Sequence, residues 1–418
     1  MRDTRRPRVL YVQYTNPGGY PPLLHSARLL ADAGFDVRML GTVRPDNALA
    51  VPSHEGVRVD VMRFEPAGWR QKVHYVRYAA WVAETALSWR PDWIYASDPL
   101  ACPATRVAQS LRRARVVYHE HDSPNPHAAE HGSRFWRHVM HAREVVGRGA
   151  DICVLPNQER AEAFGAIVGR DDVMTVWNCP MPDEAAAPRA AGRPGVLRLV
   201  YHGSIVPSRL PMAVLDAIAG LPAGVTLDVI GYETVGHRGY VDALRVRAAE
   251  LGLGERVEFI GALARHELMR RGATYDVGLS LLPRAASDPN QRTMTGASNK
   301  PFDYLAGGMA LLVPDLADWR ALFVDAGVAR CCEWDGAASI QDAFRWFLDH
   351  PVEMRAMGER GRRQILAAWN YERLFAPVLE AMTRPAAART AARPAAPAPW
   401  RVPRLTGAEE TEHRARRH

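Results

Sequence analysis

Ser298-Asn299-Lys300-Pro301-Phe302-Asp303-Tyr304-Leu305-Ala306-Gly307-Gly308 is a polar loop that turns into a short helix and stops at a glycine pair. Asn299 or Ser298 can cap the helix, and Pro301 is tolerated in its first turn. An apolar run at 310–313 follows and reads as a strand. Helix, glycine turn and buried strand in close succession form one step of an alternating α/β chain.

The alternation extends outward in both directions. Between the stretch 181–195 and this helix, strands are expected at 197–202, 226–230, 257–260 and 277–281, with helices at 211–219 and 240–251. Helices over 340–348, 352–369 and 371–382 end the pattern. The N-terminal half predicts strands at 8–14, 35–40, 57–64, 93–96, 115–119, 152–155 and 173–176, and helices at 23–33, 73–89 and 100–113. Between the halves, MPDEAAAPRAAGRPG (181–195) carries three prolines and no apolar periodicity, as a linker does. The expected fold class is therefore α/β, two doubly wound, Rossmann-like domains facing a cleft. The first spans 1–183 and the second 196–365, with the linker at 184–195. Residues 366–383 are C-terminal helices able to return to the first domain. Residues 384–418 form a basic, Pro/Ala-rich tail expected to be disordered. Such domains bind ligands at the carboxyl ends of their strands, so a site in the cleft is expected.

Composition narrows the function. The chain has 418 residues, 47% hydrophobic and 24% charged, which suits a globular protein of two or three domains. Its longest apolar stretch, about 305–313, is too short to span a bilayer, and the N-terminus lacks the apolar core of a secretory signal. A cytoplasmic location is expected. Cys102, Cys153, Cys179, Cys331 and Cys332 form no CxxC pair and adjoin no histidine cluster, which predicts reduced thiols and no structural zinc. The net charge of +7 resides at the ends: residues 1–8 carry +3 and residues 384–418 carry +5, leaving the body at −1. That distribution argues against nucleic-acid binding by the fold and weakly for contact with anionic lipid. Of 53 basic residues only Lys72 and Lys300 are lysines.

This scarcity singles out Lys300. The free N–H groups of a helix start attract an anion, and an ammonium fits where a planar guanidinium does not. With Asp303 one turn on, the helix suits a nucleoside diphosphate, phosphates at its N-terminus and ribose hydroxyls on the carboxylate. An ordinary capped helix with a surface lysine is the plain alternative. In Val200-Tyr201-His202-Gly203-Ser204-Ile205-Val206-Pro207-Ser208-Arg209, Gly203 would let a diphosphate approach the backbone and Arg209 could bind its oxygens. A turn glycine is the alternative. Gly231 and Gly261 mark two further strand ends.

SNKPFDYLAGGMALLVPDLADW (298–319) resembles the donor-site helix of nucleotide-sugar glycosyltransferases with the GT-B fold, family 4 (group 1) type. The resemblance implies transfer of a sugar from a nucleotide-diphosphate donor to an acceptor hydroxyl, without metal, with retention of anomeric configuration and with no separate cofactor. It implies donor-binding roles for Gly203, Ser204, Arg209, Asn299, Lys300 and Asp303, the last on the ribose. Family members often carry a Glu eight residues before that position, where this chain has Thr295. Gly18 and Gly19, in the loop Asn16-Pro17-Gly18-Gly19-Tyr20, stand where similar enzymes face donor phosphates or acceptor; a tight turn explains them equally well. Tyr118-His119-Glu120-His121-Asp122 closes a strand, with His119 and His121 on one side. His121 best fits the family's histidine near the donor sugar, and no third ligand or DxD motif supports a metal. The acceptor is a glycan, a lipid-linked or a small molecule. Two alternatives are an epimerase of the same fold and a non-catalytic sugar-nucleotide or glycan-binding protein. Stretches 68–78 and 133–138 join Trp, Tyr, Phe and basic residues. They read either as amphipathic helices packed inward or as peripheral membrane contacts.

Overall fold

The computed structural model describes residues 5–44, 49, 51, 53–66, 68–124, 132–188, 194–285 and 288–384. The expected disorder of the tail falls, beyond Arg384, outside the described residues.

Two all-parallel sheets carry the structure. The first contains β1 (Arg8–Val12), β2 (Asp36–Val43), β3 (Val57–Arg63), β4 (Trp93–Ser97), β5 (Arg115–His119), β6 (Ile152–Leu155) and β7 (Met174–Thr175), in the order β3-β2-β1-β4-β5-β6-β7. The second contains β8 (Leu197–Ile205), β9 (Val225–Glu233), β10 (Val257–Gly261), β11 (Val277–Leu279), β12 (Ala310–Pro314) and β13 (Ala329–Cys332), in the order β10-β9-β8-β11-β12-β13. Both orders reverse direction once, beside β1 and β8, and a doubly wound sheet opens its ligand crevice at such a point. The chain thus holds two Rossmann-like units with flanking helices.

The strands read as near-continuous apolar runs because both faces are covered. One face of the first sheet packs Tyr78, Val82, Ala104, Val146 and Phe164 from four helices. The other packs Leu23, Leu30 and Phe35 together with Tyr371, Phe375, Val378 and Met382. The last four belong to the helix Tyr371–Thr383, so the chain crosses back from the second sheet to close the first.

Several elements differ from the sequence expectation. Strand β1 ends at Val12 and β7 has only two residues. Strand β13 and the helices Gln158–Val168 and Arg265–Gly272 carry weak apolar patterns; the last buries only Met269 and Gly272. In the helix Trp69–Trp89, Tyr75, Tyr78 and Val82 face inward, whereas Trp69 is 71% and Val76 68% exposed. No helix among the described residues is long and apolar enough to cross a membrane.

Candidate active site

The ends of β8 and β9 lie against the start of the helix Asn299–Ala306. Gly203 and Gly231 pair across the two strands at φ 112° and 151°, where a side chain is strained. A Cβ on Gly203 would lie 2.9 Å from Lys300 Cε and 3.2 Å from its Nζ, and one on Gly231 would lie 1.8 Å from the Gly203 carbonyl oxygen. Gly203 thus lies within β8, not in a turn beyond a strand ending at 202 as expected, and glycine there is what lets the Lys300 side chain cross the strand. Its ammonium sits 5.6 Å from the centre of the Tyr201 ring.

Lys300 comes from the second position of the helix Asn299–Ala306. Ser298 is the N-cap residue, but its side chain makes no capping bond, and Asn299 is the first helical residue. Arg209 reaches the same place from the loop after β8 and donates from Nη1 to Ser204 Oγ at 2.7 Å. Arg209 and Lys300 line one small cavity with Ser280 and Ser298. Among the described residues neither cation has a carboxylate within ion-pair distance. Burial, reinforced by Arg209, pushes the Lys300 ammonium well below its ordinary range. Two converging, partly desolvated cations without a counter-ion are a site for an anion.

Asp303, one turn along the helix, is 4% exposed. It accepts from Arg265 at 3.0 Å (Oδ1) and 3.2 Å (Oδ2). His202 lies next to it, with Nε2 at 3.8 Å. Burial raises the Asp303 pKa and Arg265 opposes that rise. Burial, Lys300 and Arg265 all push His202 down, so it is held neutral.

The first unit presents His121. It lies two residues past β5, 4% exposed, with its ring 4.1 Å from His119 and 5.8 Å from Tyr20. The side of the strand end foreseen for the two histidines is the one they share. Glu120 turns the other way, onto Arg143 at 2.5 and 2.8 Å and onto Tyr118. His119 Nδ1 contacts Tyr95 Oη at 2.6 Å, while both His121 ring nitrogens lack hydrogen-bond partners among the described residues. Burial pushes the His121 pKa down to about 3, leaving a neutral imidazole with one donor and one acceptor to offer. Its main chain is fixed from two sides. Asp98 Oδ1 accepts its N–H at 2.7 Å, and Arg160 Nη1 donates to its carbonyl at 3.0 Å.

Arg160 also bonds Thr293 Oγ1 and the Asn290 carbonyl, both at 2.9 Å. Asn157 donates to the carbonyls of Thr293 (2.7 Å) and Thr295 (2.9 Å). Arg160 thus ties the His121 loop to the loop preceding the helix Asn299–Ala306, and Asn157 holds that second loop to the first unit. Thr295 turns its hydroxyl to Asp318.

Gly18 and Gly19 lie in a tight turn, Pro17–Gly19. Gly18 N–H donates to Asn16 Oδ1 (3.0 Å) and Gly19 N–H to the Asn16 carbonyl (3.1 Å). Both amides are occupied within the turn.

Sequence reasoning missed Arg160, Asn157, Asp98, Arg265 and Glu184. Asp98 carried a signal in hindsight, as a carboxylate two residues beyond the strand predicted at 93–96. It takes φ 65°, a rare conformation for a residue with a side chain. Arg160 and Asn157 open a helix whose pattern is weak. No group of three or more His, Cys, Asp or Glu side chains among the described residues is arranged to hold a metal, and all five cysteines are free.

Residues 18–180 match the family described as Glycosyl transferase 4-like domain, and residues 213–380 the one described as Glycosyl transferase-like. The chain is a glycosyltransferase of the group 1 type with the GT-B fold. Among solved structures it is similar to Anabaena HepE in complex with UDP and glucose, at 17% identity and a TM-score of 0.66, covering 90% of this chain and 100% of that one. It is also similar to sucrose-phosphate synthase from Thermosynechococcus elongatus (16%, TM-score 0.65, 90% and 98% covered). A third is WaaG, a glycosyltransferase involved in lipopolysaccharide biosynthesis (13%, TM-score 0.63, 90% and 99% covered). No curated protein matches the chain.

Proposed function

We propose that this enzyme transfers a sugar from a nucleoside-diphosphate donor, UDP-linked as in the HepE complex, to an acceptor hydroxyl, without metal and with retention of configuration. The observation that carries the reading is the convergence of Lys300 and Arg209 at Gly203, neither with a carboxylate partner among the described residues. Diphosphate oxygens would supply the missing charge, and the same cations would stabilise the diphosphate as it departs. Asp303 would receive the ribose hydroxyls, and the neutral His121 imidazole would hydrogen-bond the sugar from the other side of the cleft. Thermal-shift screening with UDP, GDP and ADP, followed by turnover of the matching nucleotide sugars, tests this. Failure of every nucleoside diphosphate to stabilise the protein would refute it. Conversion of the nucleotide sugar with no acceptor would identify the epimerase alternative. The anomeric configuration of the product by NMR tests retention.

The reading includes peripheral contact with an anionic lipid surface. Trp69, Val73 and Val76 fall at i, i+4 and i+7 on the exposed side of their helix, among Arg70, Lys72 and Arg77. Exposed apolar groups flanked by cations suit a charged bilayer interface. Co-sedimentation with vesicles containing phosphatidylglycerol, lost on Trp69→Ser with Arg70→Ser, would support it. Equal binding to purely zwitterionic vesicles would not.

A further inference from the structure

Arg265 stands at the first position of its helix and uses both edges of its guanidinium. One edge binds Asp303 at 3.0 and 3.2 Å, and the other binds Glu184 at 2.6 and 2.9 Å. Glu184 lies in the stretch that joins the two units. It accepts the Met181 N–H at 2.8 Å and lies 3.1 Å from His25 Nε2, on the helix Pro21–Asp32 of the first unit. A chain of close polar contacts thus runs from the first unit, through the connecting segment, to the donor helix. It borders a cavity of about 800 Å³.

We propose that Arg265 is a positioning residue for the donor: it fixes the plane of the Asp303 carboxylate for the ribose hydroxyls, and Glu184 sets Arg265. The inference rests on the reading of Asp303 as the ribose acceptor. Three observations carry it. Each Asp303 oxygen takes one N–H from Arg265, which orients the group yet leaves a lone pair on each oxygen for a hydroxyl. One guanidinium serves two carboxylates, so negative charge remains at the donor helix where a purely structural pair would cancel it. The guanidinium makes four contacts, two to each carboxylate, and a lysine ammonium with three donors cannot reproduce that fork. The charged and titratable groups around Asp303 are Arg265 and Glu184, His202 from β8, His25 from the first unit, Lys300 and Tyr304 on its own helix, and Cys179. Removing Arg265 takes away the cation that opposes protonation of this buried carboxylate.

The test compares UDP with 2′,3′-dideoxy-UDP by calorimetry on the full chain. The wild type is expected to prefer UDP at least tenfold. Arg265→Gln should shrink that preference to twofold or less while dideoxy-UDP binds within about threefold of wild type, and the residual preference should weaken further from pH 8 to pH 6. Arg265→Lys should restore part of it. Glu184→Gln, which keeps the guanidinium, should lower the preference severalfold; it also serves if Arg265→Gln fails to fold. Parallel loss of both ligands in a folded Arg265→Gln protein would show a merely structural role and overturn the proposal. So would an unchanged preference in both Arg265→Gln and Glu184→Gln. A wild type that binds both nucleotides equally would remove the ribose role of Asp303 itself, and one that binds neither would remove the donor reading.

Discussion

Replacing Lys300 with methionine separates binding from stability. Methionine keeps an unbranched apolar stem over Gly203 and removes the charge. In the free protein that charge is desolvated and faces Arg209. The variant is therefore expected to be at least as heat-stable as the wild type. With a nucleoside diphosphate bound, the lost group is a charge-assisted hydrogen bond, contributing about 1.5–3 kcal/mol. UDP affinity should fall about tenfold to 150-fold, since about 1.4 kcal/mol is a factor of ten. Wild-type affinity should also decline with rising pH earlier than an ordinary lysine would cause, because the anion prefers the protonated ammonium. Lys300→Met should flatten that slope. Calorimetry with UDP at pH 6–9 and thermal denaturation without ligand measure both halves. A variant that loses stability while keeping UDP affinity would refute the reasoning, because Lys300 would then be a packing residue.

Gly203→Ala should lower UDP affinity and stability together, the strained φ alone costing about 1–3 kcal/mol, and Tm with UDP titration reads both. His121→Ala should lower turnover about tenfold or more with UDP affinity nearly unchanged, since one hydrogen bond to the sugar is lost and the nucleotide is held by the other unit; normal turnover would exclude the role. Asp98 is pushed up to about 8 by burial and by Asp122. A carboxyl group raised in the folded state adds stability below its unfolded pKa, near 3.9, and that stability is lost as pH rises through about 8. Asn can still accept the His121 N–H, so the Tm of Asp98→Asn relative to wild type should rise between pH 5 and pH 8, and a constant difference would contradict this.

The legible parts of the molecule are those encoded locally. Apolar runs at β1, β5 and β12 define the sheets because parallel strands are buried on both faces. The Lys300–Asp303 spacing could be read because both residues share one helix, and Gly203 because a glycine stands out near a strand end. The closeness of Gly203 to Lys300 is another matter: 97 residues separate them in a chain of 418. It follows from β8 and β11 being neighbours, with the helix Asn299–Ala306 in the connection from β11 to β12, and this strand order is a tertiary fact.

What the sequence hid is the way the two halves are joined. Glu184 sits in MPDEAAAPRAAGRPG, whose prolines and alanines read as a spacer, yet its carboxylate accepts the Met181 N–H and both donors of Arg265, 81 residues away. Arg160 looks like one more surface arginine in a charged helix, yet it is 4% exposed and holds the His121 carbonyl and the 290–293 loop together. Burial of an arginine is tolerated only when its donors are satisfied, and here a main-chain carbonyl from each half and the Thr293 hydroxyl accept from it. The same fact constrains motion. Any opening of the cleft that parts the His121 loop from residues 290–293 must break the bonds of Arg160, and any that parts the first unit from residues 293–295 must also break those of Asn157.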